Sequence, residues 1–453
     1  MVNYRSIFDS PGRTARDRSA KDVTWRSIPG LPAWAIKEFA LFEHYAMSVE
    51  NETPLKVLLI SHTCFSRTRG QPKVQHLAKL GVQMRVICPT WWFEDDNVWY
   101  PAEPANPDAS FNLEAHRAPY LFHKKLQRYT HFYPRFSRLL REFKPDVIDI
   151  WEEAWGMASA HACWARNRVL PSAKIISETE QNINRKLPPP FSWLRKYTLK
   201  NADFAIGRNT EAVGVLRAQG YSGPAQVVPN AVDDSIFHPM DREACRNEIG
   251  AQGFVVGYAG RLIEAKGLMD LVDAVQLCPP EVRLLLVGSG PYQPDLERRI
   301  SELGIGNRVR FLPNQSPAEL AKIMNALDAF VLPSRTTPNW KEQFGRVIIE
   351  AHACGTPVIG SNSGAIPDVI GHGGIVVPER DPAALANAIQ QLLADPQKSR
   401  QLGEAGRQGV MSSSTWEQVA RQMRDIYRRV AKNTSPIEAQ KGFHEPVGTA
   451  SGV

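Results

Sequence analysis

The chain lacks what would tie it to a bilayer interior, a disulfide scaffold or a metal clamp. No apolar run approaches the ~18 residues of a membrane-spanning helix. The N-terminus is polar and charged rather than signal-like. The six cysteines Cys64, Cys88, Cys163, Cys245, Cys278 and Cys354 show no Cys-x-x-Cys spacing, and several sit in apolar runs. This argues against a disulfide framework and a thiolate zinc site, and fits a reducing compartment. No Asp-x-Asp occurs, so a divalent-ion clamp of the usual kind is not supported. No Gly-x-Gly-x-x-Gly follows the first strand-like run, which argues against a nicotinamide enzyme. The expectation is a cytoplasmic protein with no metal or redox cofactor, attached at most to the inner face of a membrane.

What is present points to a large, mildly basic α/β protein. The 453 residues are 43% hydrophobic, enough for more than one core. A formal net charge of +7 favours acidic partners such as phosphates, nucleotides or anionic lipid, although solubility alone explains it equally well.

Short apolar runs alternate with helical periodicity, which predicts parallel sheets covered by helices on both faces. In the first half the strand-like runs begin near Leu55, Gln83, Asp146, Ala173, Asp203 and Ala225. Pro229 to Pro239 reads as a hinge. The pattern then restarts, with strands near Phe254, Arg283, Arg308, Ala329, Pro357 and Gly374. The fold class is therefore α/β, two Rossmann-like doubly wound domains facing across a cleft. The expected divisions are an extension over 1–53, a first domain over 54–235 and a second over 236–412. A terminal helix over 413–432 and a flexible tail over 433–453 follow. A short helix is expected around Trp34 to Met47.

Two stretches of the second half carry chemistry. In FVVGYAGRLIEAKGLMDLVDAV, Gly260 and Arg261 follow a strand, and Lys266 precedes a helical pattern. Cations beside a helix N-terminus suit an anion such as a diphosphate, and a surface loop is the plain alternative. In FVLPSRTTPNWKEQFGRVIIEAHACGTPVI, Glu342 lies in a polar loop, Phe344 and Gly345 open a helix, and Glu350 lies on it. Eight residues apart on one helix would separate two carboxylates by ~12 Å, so these acids are expected to read different parts of one ligand. Carboxylates accept hydroxyl donors.

Together these segments resemble the retaining GT-B nucleotide-sugar glycosyltransferases of family 4, over roughly residues 55–430. GRLIEAKG, VPNAVD and EQFGRVIIEAHACGTPVIG carry the resemblance most specifically, and STWEQVARQMRDIY resembles the family's final helix, which crosses back onto the first domain. The resemblance implies that Arg261, Lys266 and Glu342 are catalytic, the two cations stabilising the departing diphosphate and Glu342 holding donor-sugar hydroxyls. It implies donor contacts from Gly260, the Phe344 and Gly345 backbone, and Glu350 at the ribose. Gly70, in SRTRGQPK where the family often has paired glycines, would let the backbone approach the phosphates. The implied partners are a nucleoside-diphosphate-sugar and a glycan, lipid-linked or small-molecule acceptor, with no nucleic acid. A nucleotide-sugar epimerase of the same fold and a non-catalytic sugar-binding protein are the alternatives.

The first half offers acceptor-side candidates. Glu178 and Glu180, two apart on a strand, share a face. Both are expected to point into the cleft, where a close pair would let one hold its proton near neutrality. His62, at the end of the first strand, is a further candidate acceptor or sugar contact. The stretch His123 to Lys144 mixes basic and aromatic residues. It reads as an ordinary amphipathic helix or as a grip on a membrane surface.

Overall fold

The computed structural model describes residues 54–94 and 98–432. The helix expected around Trp34 to Met47 and the tail over 433–453 lie outside them.

Fifteen strands form two parallel sheets and one hairpin among the described residues. The first sheet contains β1 (Lys56–Ile60), β2 (Gln83–Pro89), β5 (Asn112–His116), β6 (Val147–Ile150), β7 (Lys174–Thr179), β8 (Phe204–Gly207) and β9 (Ala225–Val227), ordered β5-β2-β1-β6-β7-β8-β9. Between β2 and β5, β3 (Trp91–Phe93) and β4 (Trp99–Pro101) pair antiparallel. The second sheet contains β10 (Phe254–Ala259), β11 (Val282–Val287), β12 (Val309–Leu312), β13 (Ala329–Leu332), β14 (Val358–Ser361) and β15 (Gly374–Val377), ordered β12-β11-β10-β13-β14-β15.

The central strands are buried on both faces, as runs such as VLLI and AFVL require. Strand order reverses beside β1 in the first sheet and beside β10 in the second. At such a reversal the loops beyond the strand C-termini diverge to opposite faces and leave a crevice for a ligand. In the second sheet the two loops at this point are those after β10 and β13, which hold the segments singled out by their chemistry.

The chain crosses back at its end. Val232 N–H donates to Ser414 O at 2.8 Å, Thr415 caps the next helix, and that helix, Trp416–Ala431, packs on the first sheet. Its Val419, Met423, Ile426 and Tyr427 share a core with Val57, Leu59 and Val86. Each such side chain contributes about 1.5–3 kcal/mol on burial, so the second half is fastened to the first by apolar contact as well as by covalent connection.

Three features depart from expectation. The β3–β4 hairpin and β5 lack the apolar runs of the central strands and are additions to the expected set. β1 ends at Ile60, two residues before His62, which opens a 3-10 turn over His62–Phe65. The stretch His123 to Lys144 is not one helix. It breaks into Lys124–Leu126, Gln127–Thr130 and Phe136–Phe143, with Pro134 in the gap, where a ring in place of the N–H interrupts helical bonding.

Candidate active site

The site assembles where the loops after β10 and β13 touch. Gly260 follows β10 directly, and the Arg261 side chain behind it is exposed, with no carboxylate partner among the described residues. A turn over Glu264–Lys266 then leads to Gly267, whose φ is 66°. A Cβ at Gly267 would lie 1.9 Å from the carbonyl oxygen of Pro333. Only glycine permits both this left-handed backbone and this approach. The contact brings Lys266 against the second loop, where its Nζ lies 2.5 Å from Glu342 Oε2 and 5.0 Å from the centroid of Trp340.

The loop Pro333–Gly345 is braced from several sides. Arg335 makes a two-pronged bond to Asp270, at 2.7 and 2.5 Å, which ties the loop to the helix Leu268–Gln276. Thr337 N–H donates to Trp340 O at 2.7 Å and closes a small turn that fixes the indole. Ser334 Oγ donates to Glu342 Oε2 at 3.0 Å. Glu342 is only 8% exposed, so its carboxylate is held rather than solvated.

The Phe344 ring is buried in the second core, which leaves its main chain as the part able to meet a ligand. Gly345, with φ 77°, caps the helix Arg346–Ala353. The N–H groups of Phe344 and Gly345 have no acceptor among the described residues. Glu350, one turn and a half into that helix, likewise has no hydrogen-bond or ion-pair partner for its carboxylate among the described residues. Burial pushes it up to about 7, partly opposed by the charge of Arg346. A desolvated carboxylate without a donor is a group built to receive hydroxyls or to stay protonated.

The same loop is latched across the crevice to the first sheet. Asn182, just beyond β7, donates to Glu342 O at 2.8 Å and to Glu211 Oε2 at 3.2 Å. Arg185 reaches Asn339 O at 2.9 Å, Asn209 bonds the Gln343 carbonyl, and Lys341 pairs with Glu211 at 2.5 Å. The main chain that carries Glu342 therefore stands at the interlobe crevice.

The acceptor-side candidates are placed differently from expectation. Glu178 is 1% exposed and serves as counter-ion to Lys73 and Arg208. Burial would raise its carboxyl, but the charges of Arg208 and Lys73 prevail and hold it at about 2. It is not the proton holder. That property falls to Asp149, raised to about 7 by burial and by Glu178, and to Glu153, raised to about 7 by burial. Glu180 lies one residue past β7, with Arg208 3.9 Å from it, and its side chain keeps 35% exposure. Gly70 is required by the protein itself: a Cβ there would lie 2.6 Å from the Cys64 nitrogen and 2.7 Å from the Thr63 carbonyl carbon.

His62 gains a partner that no sequence motif marked. Glu152, two residues past β6, accepts from the His62 main-chain N–H at 2.5 Å and meets its Nδ1 at 2.7 Å. Trp92 stacks on the imidazole at 4.5 Å. Burial would raise the Glu152 carboxyl, but His62 and His131 hold it well below the usual range. The ring is thus oriented by one nitrogen while 26% of the side chain stays exposed. Glu152, Asn182, Asn209 and Trp340 all went unmarked as site residues. The first three lie just past the ends of β6, β7 and β8, so the strand-end rule that selected His62 would have selected them too.

Comparison with known proteins accords with this geometry. Residues 74–236 match the family described as Glycosyltransferase Family 4, and residues 241–409 match Glycosyl transferases group 1. D-inositol 3-phosphate glycosyltransferase of Segniliparus rotundus is 34% identical over 250 residues, 52% of this chain and 54% of that protein. The protein of the same name from Corynebacterium jeikeium is 30% identical over 320 residues, 66% of this chain and 71% of that protein. The chain spans between about half and two thirds of the length of the first curated relatives it matches. Among solved structures, sucrose-phosphate synthase from Thermosynechococcus elongatus superposes with a TM-score of 0.64 at 25% identity, covering 84% of this chain and 100% of that one. The chain belongs to the group 1, family 4 glycosyltransferases, and its two facing sheets form the GT-B fold.

Proposed function

We propose that the protein is a retaining, metal-independent glycosyltransferase that moves a sugar from a nucleoside-diphosphate-sugar to a hydroxyl of a glycan, lipid-linked or small-molecule acceptor. In this reading residues 236–412 bind the donor and residues 54–235 receive the acceptor. The observation that carries it is the meeting of Lys266 and Glu342 at the crevice, flanked by an exposed Arg261 and an unpartnered Glu350.

The roles follow from what each group can do. Arg261 and Lys266 meet the diphosphate, and the free N–H groups at Phe344 and Gly345 face the same anion or the sugar. As the bond from sugar C1 to the phosphate oxygen breaks, negative charge grows on that oxygen. Fixed cations gain most at that moment, so they lower the barrier and do more than bind. Glu342, freed from Lys266 by the incoming phosphate, accepts sugar hydroxyls. Glu350 accepts the ribose hydroxyls. The acceptor oxygen forms its bond to C1 from the side the phosphate leaves, and its proton passes to the departing phosphate. His62, oriented by Glu152, holds that acceptor hydroxyl, while Glu180 stands at the rim of the same crevice. Gly260 keeps the chain close to the diphosphate. Gly70, whose absent side chain is demanded by Thr63 and Cys64, holds the first-lobe loop at the donor's edge.

Incubation with a panel of uridine- and guanosine-diphosphate sugars tests the proposal, because transferases leak donor slowly to water. Release of nucleoside diphosphate from one donor, abolished in Lys266→Met, is expected. No release from any donor, with no acceptor able to elicit it, refutes the reading.

A further inference from the structure

We propose that the loop Pro119–Leu126, with the neighbouring hairpin, is a docking edge for an anionic membrane surface. From Arg117 to Arg141 the chain carries seven lysines and arginines and no aspartate or glutamate. Within this run Tyr120, Leu121, Phe122 and Leu126 are exposed, Phe122 at 82%. Phe122 also has a φ of 68°, a left-handed backbone that bulky side chains rarely adopt. Its exposure is not slack. Thr130 Oγ1 donates to Leu121 O at 2.9 Å and to Leu126 O at 3.0 Å, and Phe132 N–H donates to Pro119 O at 3.2 Å. The fold therefore holds a phenyl ring out into solvent on a braced loop, with His123, Lys124 and Lys125 directly behind it.

The hairpin extends the same surface. Lys124 lies 4.6 Å from the Phe93 ring centroid, Tyr120 stacks near Trp99 at 6.1 Å, and Trp91 is 56% exposed. Glu94, which follows Phe93, is engaged by Arg69 at 2.8 Å. Apolar tips that enter the headgroup layer, ringed by cations that meet lipid phosphates, grip a bilayer without crossing it. The position gives the grip a use. Both segments leave the C-terminal ends of their strands, β5 and β2, and Trp92 of the hairpin stacks on His62. A bilayer held here would lie beside the acceptor side of the crevice.

The experiment is co-sedimentation of the full chain with vesicles of phosphatidylcholine alone or mixed with phosphatidylglycerol, without donor or acceptor, so that it stands apart from the transferase reading. Binding to the anionic vesicles, and its loss at about 0.5 M salt, is expected. Phe122→Asp should weaken it about tenfold or more, and Lys124→Gln with Lys125→Gln about fivefold per charge. Arg298→Gln, on the second lobe, should leave it unchanged. All four side chains are at least partly exposed, so the variants should fold. Absence of vesicle binding overturns the proposal. So does binding that the lysine changes weaken but Phe122→Asp does not, since that describes a site for any soluble polyanion.

Discussion

Replacing Glu350 by glutamine should separate stability from donor binding. In the folded chain its carboxyl is raised from 4.5 to about 7, chiefly by burial. One pH unit of displacement corresponds to about 1.4 kcal/mol, so ionising Glu350 costs the folded state about 3 kcal/mol more than the unfolded state. The sign follows from proton binding. Below about pH 4.5 both states hold the proton and nothing is lost. Between about 4.5 and 7 the unfolded chain gives up its proton and the folded chain keeps it, so stability falls as pH rises. Above about 7 the full penalty applies. Glu350→Gln has no such proton, so its advantage should grow from near zero at about pH 4.5 towards about 3 kcal/mol at about pH 8.

The same substitution should impair the ligand. An ionised carboxylate receiving two ribose hydroxyls gains about 1.5–3 kcal/mol per bond, and an amide oxygen recovers only part of that. Nucleoside diphosphate should therefore bind Glu350→Gln about tenfold to a hundredfold more weakly at about pH 8. Urea unfolding across that pH range gives the first quantity and titration calorimetry the second. A variant destabilised equally at both ends of the range would refute the reasoning, because it would mean that the carboxylate already holds a structural partner. Unchanged nucleotide affinity would remove Glu350 from the donor site.

Lys266→Met should lower kcat/KM by about a hundredfold or more, as loss of a transition-state cation does. Because Lys266 and Glu342 touch, the stability costs of Lys266→Met and Glu342→Gln should be non-additive in a double-mutant cycle, and additive costs would deny the pairing. His62→Asn and Glu152→Gln should slow transfer to acceptor while leaving slow donor hydrolysis intact. Equal losses in both reactions would place the pair outside acceptor handling. The Asp149 carboxyl, raised to about 7 by burial and by Glu178, meets Tyr427 Oη at 2.5 Å and lies beneath the terminal helix. Between about pH 3.8 and 7 the folded chain keeps this proton and the unfolded chain has lost it, so Asp149→Asn should flatten the decline of melting temperature across that range. An unchanged slope would show that Asp149 is ionised throughout.

The second sheet was legible almost strand for strand, because strands buried on both faces must be continuous apolar runs. β5 was not, because NLEAH lies at the sheet edge, half in solvent, and needs no apolar face. The β3–β4 hairpin was hidden for a related reason. Its aromatic residues pack on side chains from other parts of the chain, and such packing has no period along the sequence. The residue types of the proposed donor site could be read as well, since glycine, cation and carboxylate spacings are local. Their partners were not. Lys266 and Glu342 are 76 positions apart, and Lys73 and Glu178 are 105 apart.

That difference decides how the acids are to be understood. Alternation along the sequence put Glu178 and Glu180 on one face, yet β7 ends at Thr179, between them, and Arg208 touches both. It gave no hint that Lys73 and Arg208 would close over Glu178 and satisfy it. Glu350 shows the reverse. Its place on a helix did not show whether a donor would reach it; none does among the described residues, and its proton affinity rises. A buried carboxylate with two cations is spent on the fold, and one with no partner at a crevice is kept for something that arrives. The distinction lies in the company each residue keeps rather than in its identity. It places Glu178 in the architecture and, under the proposed function, leaves Glu350 to the ligand and makes Glu342 the hinge case, held by Lys266 until a phosphate competes for the same ammonium.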